Sequence, residues 1–68
     1  MAKYCVNKNA DENGYHEVHR ETCEHLPEFK NQQDLGYWSS CSEAVQKAKQ
    51  YYSSVDGCFY CCPECHKH

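Results

Sequence analysis

Two short motifs set the strongest limits on what this chain can fold into: a His19-x3-Cys23 pair and a Cys58-x2-Cys61 pair. A C-x2-C turn brings two sulfurs to one point and leaves backbone N–H groups free to hydrogen-bond thiolates. An H-x3-C pair at the exit of a strand supplies the opposite edge of a tetrahedron. Together they offer three sulfurs and one nitrogen, the donor set of a closed structural zinc site. The softness of these ligands points to one Zn2+ per chain, with iron as the alternative ion.

The rest of the sequence shows why such a staple is needed. The chain has 68 residues, enough for one domain over 1–68, and a chain that short buries too little apolar surface to be comfortably stable. Its apolar set is thin, and 6 of its 8 Tyr and Phe residues are tyrosines whose hydroxyls must reach water or a partner. With 7 cysteines, complete pairing within one chain is impossible, so a metal is favoured over a pure disulfide scaffold. No apolar h-region follows Met1-Ala2-Lys3-Tyr4-Cys5, and nothing approaches a membrane-spanning run. The expected setting is therefore the cytoplasm, where reducing conditions also favour metal over disulfide. The formal net charge of -3, with no basic cluster, argues against nucleic acid as a partner.

Along the chain, residues 3–7 are β-prone, and a turn-rich stretch ending in Asn13-Gly14 follows. Residues 15–19 then alternate as a strand, with Tyr15, Glu17 and His19 on one face and His16 and Val18 on the other. These pieces read as a β-hairpin. Residues 20–34 read as loop, and 35–38 as a short third strand. Ser40-Cys41-Ser42-Glu43 fits a capping box, with Ser40 as N-cap and Glu43 reaching back. Cys41, Ala44, Val45, Ala48, Tyr51, Tyr52 and Val55 then follow helical spacing up to the Asp56-Gly57 stop. The expected fold is a small α+β domain: a β-hairpin, a third short strand, one helix and a C-terminal zinc knuckle. Metal binding would be coupled to folding.

With those residues in order, a resemblance becomes visible. The run from His19 and Cys23 through Ser42-Glu43-Ala44, Gly57 and Cys58-x2-Cys61-x-Pro63 resembles the Ada-type metal-binding domain and the similar zinc modules that end some bacterial nucleases. It spans about residues 15–63. The resemblance implies a zinc fold, but not the repair activity of that family's DNA-repair member, which uses the first cysteine of a C-x3-C pair as a methyl acceptor. His19 stands at that position here, and the helix-to-knuckle connection Ser53-Ser54-Val55-Asp56-Gly57 carries no cationic run.

Other Cys and His residues widen the choice. Cys62 and Cys65 form a second, overlapping C-x2-C beside His66, so the ligand register is open. Cys41, Cys62, Cys65 and His66 are reserve ligands, and Cys62, Cys65 and Cys41 also suit a redox pair. Cys5 reads as packing, His16 as structural or exposed, His25 as a weaker reserve, and His68 as a solvated end. His16-Glu17-Val18-His19 is one residue short of the H-E-x-x-H metalloprotease motif and sits on a strand rather than a helix. Tyr51-Tyr52 and Phe59-Tyr60 read as shields around the knuckle, with an exposed partner-binding patch as the alternative.

Three functions compete on these residues. The leading one is a non-enzymatic zinc-binding module contacting a protein partner. The others are a thiol redox or metal-handling protein and, by family analogy alone, a nucleic-acid-associated zinc domain.

Overall fold

A computed structural model describes Met1–His68. Four strands, β1 (Ala2–Asn7), β2 (His16–Arg20), β3 (Gln32–Trp38) and β4 (Val55–Gly57), form one mixed sheet in the order β3-β1-β2-β4. A single α-helix, α1 (Cys41–Ala48), lies between β3 and β4 in the chain, and Phe29–Asn31 and Pro63–Cys65 form 3-10 turns. The expected small α+β domain is what the chain adopts.

The hairpin follows from the sequence pattern. β1 and β2 pair antiparallel with Cys5 opposite His19 and Val6 opposite Val18. In the connecting loop the Asp11 carboxylate accepts the N–H groups of Asn13 and Tyr15, both at 2.9 Å. Gly14 adopts φ 88° there, a conformation that favours glycine. Period-2 alternation then sorts the side chains. Tyr4, Val6 and Val18 join Leu35, Ala44, Ala48 and Val55 in the core under α1. Cys5 and His19 point to the other face.

β3 is longer than the expected 35–38 because residues 32–34 extend it along β1. Its register breaks between Tyr4 and Cys5, which oppose Gly36 and Asp34 and leave Leu35 between them. Gly36 takes φ 85°, and the bulge turns Leu35 into the core, where it is buried.

Capping at α1 is largely as read. The Ser40 hydroxyl accepts the Glu43 N–H at 3.3 Å, while the Glu43 carboxylate reaches back one residue further, to the Ser39 N–H at 3.1 Å. Replacing Ser40 with alanine is expected to cost about 1 kcal/mol. A urea melt checks this, with the midpoint falling at an unchanged slope.

The C-terminal end of α1 corrects the sequence reading. Helical spacing ran to Val55, yet the helix stops at Ala48, and Tyr51 and Tyr52 only turn back onto the Ala48 carbonyl. Tyr51-Tyr52-Ser53-Ser54-Val55 is made of weak helix formers, and tertiary pairing offers them more. Tyr52 stacks on His16 with ring centroids 3.8 Å apart, and Val55 opens a strand parallel to β2. This fourth strand was not read from the sequence. Gly57 ends it where a Cβ would meet Cys65 Cβ at 2.6 Å and the Cys62 carbonyl oxygen at 2.9 Å, so only glycine lets the tail close over β4.

Candidate metal centre

Parallel pairing of β2 with β4 builds the site. The two strands run the same way, with His16 opposite Val55 and Val18 opposite Gly57, so both chains leave the sheet at one end. The Cys58 N–H continues the ladder to the Val18 carbonyl at 2.9 Å. His19 is still in β2, Cys23 lies in the turn beyond it, and Cys58 and Cys61 lie in the turn beyond β4. Segments far apart in sequence therefore deliver one histidine and three thiols to one point.

The donor atoms of His19, Cys23, Cys58 and Cys61 all lie within 4.8 Å of one another. Cys23 Sγ is 3.9 Å from Cys58 Sγ, and Cys61 Sγ is 4.0 Å from His19 Nδ1. A tetrahedral ion with Zn–S bonds of about 2.3 Å sets its sulfurs roughly 3.8 Å apart. The Arg20 N–H donates to Cys61 Sγ at 3.3 Å and the His25 N–H donates to Cys23 Sγ at 3.4 Å, contacts that would strengthen if the sulfurs carried negative charge. Both N–H donors come from the segment that carries His19 and Cys23.

Electrostatics explain what the cluster lacks. Burial pushes the Cys58 and Cys61 thiols above their ordinary range, because a thiolate is poorly solvated there. Burial also pulls the His19 imidazole below its ordinary value, with His25 adding to the effect. His19 is 1% exposed, and its Nε2 has no hydrogen-bond partner. A buried imidazole with an orphaned nitrogen is costly. A cation among these donors would stabilise the thiolates that burial disfavours, so the donor set fits a metal ion; the unpartnered Nε2 faces Glu17 at 3.8 Å rather than the sulfurs.

The overlapping alternatives separate cleanly. Of the two overlapping pairs, Cys58 and Cys61 belong to the cluster, and Cys62 and Cys65 do not. Cys62 is fully buried in the core, with its sulfur 3.8 Å from Cys61 Sγ. Cys41 and Cys65, held in reserve as ligands, are instead joined to each other as a disulfide. The expected choice between metal and disulfide thus gives way to a chain with both a ligand cluster and one bridge. His66, another reserve ligand, turns its Nδ1 to the Gly57 carbonyl at 3.0 Å and to Asp56 Oδ2 at 3.1 Å.

The other histidines and aromatics have defined places. His16 is structural, with Nδ1 2.9 Å from the Asn7 carbonyl. His25 contributes its backbone rather than its ring, which stacks on Tyr60 at 3.8 Å. His68 is not a free end, since it stacks on Tyr15 at 4.1 Å and its N–H reaches Asp56. Phe59 and Tyr60, read as shields, are 60% and 66% exposed at the tip of the knuckle. Cys5 packs beneath the cluster's face of the sheet, and burial pushes its thiol up to about 11.

Asp56 was the residue sequence reading passed over. It is buried, and it accepts the Lys67 N–H at 2.7 Å and the His68 N–H at 3.3 Å, which ties down the tail. Its place in the Asp-Gly pair looked like a helix stop, and that hid the role. Comparison with known proteins returned no matching family model, no similar curated protein and no similar solved structure. No helix is long and apolar enough to cross a membrane.

Proposed function

We propose that this chain is a small non-enzymatic zinc module in which one Zn2+, held by His19, Cys23, Cys58 and Cys61, fastens the exits of β2 and β4 and presents a surface to a protein partner. The observation that carries the reading is the convergence of those four donors within 4.8 Å. Four protein ligands close the coordination shell, so no position is left for a reacting water or substrate. The zinc's role is to hold the fold. The likeness to Ada-type modules belongs to the same reading, whereas the cytoplasmic placement expected from the sequence does not sit with the Cys41–Cys65 bridge, which a reducing compartment would open. The zinc knuckle carries Phe59 and Tyr60, whose exposed rings lie edge to face at 5.3 Å, and this aromatic tip is the contact surface offered to a partner.

The test is native mass spectrometry after reconstitution, joined to cobalt substitution. One zinc per chain is expected. Cobalt should give thiolate-to-metal charge-transfer bands with tetrahedral d–d absorption, both displaced by zinc. Absence of a stoichiometric metal, or an octahedral cobalt spectrum, would sink the proposal. The Cys41–Cys65 bridge favours a second reading, a thiol redox protein. That reading requires the bridge to exchange readily with a small dithiol while the zinc stays in place.

A further inference from the structure

We infer that Glu17 is the positioning residue for the metal-binding histidine: its carboxylate takes the Nε2–H of His19 and so commits Nδ1 to the ion. This deepens the zinc reading above and rests on it. Strand alternation places Glu17 and His19 on the same face of β2, two residues apart. On one side of the imidazole, Nδ1 lies 4.0 Å from Cys61 Sγ. On the other, Nε2 lies 3.8 Å from Glu17 Oε1 and has no hydrogen-bond partner.

An imidazole that ligates through one nitrogen as a neutral ring carries its proton on the other. With Nδ1 on the metal, Nε2 is an N–H donor in a residue that is 1% exposed. A buried donor of that kind calls for an acceptor. Glu17 keeps part of its side chain in solvent, at 30% exposure, so the carboxylate has room to close from 3.8 Å to a hydrogen bond of about 2.8 Å. The result is a carboxylate–histidine–metal relay, which holds the ring in one tautomer and makes Nδ1 a better donor. The backbone serves the thiolates in the same way, through the Arg20 and His25 N–H groups.

The experiment uses the full chain with zinc as the probe. Zinc affinity is measured by competition with a chromophoric chelator for the unsubstituted protein, Glu17→Gln and Glu17→Ala. Long-range 1H–15N spectra of the zinc-loaded protein report which His19 nitrogen carries the proton. The expected results are a proton on Nε2 in the unsubstituted protein and an affinity loss of roughly 10- to 100-fold for Glu17→Ala. Glu17→Gln, whose amide oxygen can still accept, should lose less and keep the tautomer.

Zinc bound through Nε2 overturns the inference while leaving the zinc module intact, and needs no variant to detect. So does a Glu17→Ala protein with unchanged affinity and tautomer. Failure of the unsubstituted protein to bind zinc removes the zinc module itself.

Discussion

Stripping the metal is expected to unfold this protein, and replacing Cys58 with serine should do the same. The apolar contribution to stability is small: 14 of the 68 residues are buried, and the core cluster of 9 contains two alanines and two cysteines. Two of the buried residues, His19 and Cys58, belong to the donor cluster itself. Without the ion, nothing joins the exits of β2 and β4 at His19, Cys23, Cys58 and Cys61, whose donor atoms lie within 4.8 Å of one another. Structural zinc in small modules supplies on the order of 10–16 kcal/mol of apparent binding free energy, and in such systems that is folding free energy. A domain of this size has about 5 kcal/mol of net stability to lose. Addition of a strong chelator under non-reducing conditions should therefore collapse the dispersion of the 1H–15N spectrum, and zinc should restore it. A chelated protein that keeps its dispersed spectrum would refute the coupling. Cys5→Ala is the control, because Cys5 is a buried thiol outside the cluster, and that variant should retain one zinc. The pH dependence has a fixed sign. Each thiol releases a proton on binding, so affinity rises with pH and acid releases the ion.

The donor cluster was legible in the sequence because the spacings of candidate metal ligands leave local marks. H-x3-C and C-x2-C are spacings within single turns, and they name His19, Cys23, Cys58 and Cys61 whatever lies between them. The hairpin was legible for a similar reason, since alternation over residues 15–19 and turn formers at Asn13-Gly14 are both local signals. What the sequence hid was how the two ligand pairs meet. The parallel β2–β4 pair is non-local, only three residues long in β4, and masked by apolar residues whose spacing also fits a helix. Tyr51, Tyr52 and Val55 satisfy a helical period, yet Tyr52 is used against His16 and Val55 against the sheet. The same limit explains Cys41 and Cys65. Their sequence contexts, a helix start and a second C-x2-C, say nothing about each other, and only the closure of the tail over Gly57 brings them together.

Removing the Cys41–Cys65 bridge should lower the melting temperature strongly while leaving one zinc per chain. The bridge closes a loop with a sequence separation of 24 residues, which in the chain-entropy account amounts to about 3 kcal/mol. For a domain of this length the corresponding fall in Tm is on the order of 15 °C. The double replacement Cys41→Ala and Cys65→Ala is the right variant, since it leaves no new free thiol. The tail should stay docked at low temperature even so. Asp56 still holds the Lys67 and His68 N–H groups, and the Tyr15–His68 stack remains. The bridge lies outside the ligand cluster, so zinc stoichiometry by native mass spectrometry should not change. An unchanged Tm would mean that the bridge contributes nothing beyond what Asp56 already secures. Loss of zinc would mean that tail and metal form one cooperative unit, with Cys62, 3.8 Å from the ligand Cys61, as the link. The kinetics of reduction separate a structural bridge from a redox-active one. Cys41 is 3% exposed at the first turn of α1 and Cys65 is half-buried, so a small dithiol must attack from the Cys65 side, and opening of the tail should widen that access. Reduction should then be slow in buffer and accelerate steeply with urea, tracking local opening. A rate that is fast in buffer and insensitive to urea would identify an exposed, exchanging pair and favour the redox reading.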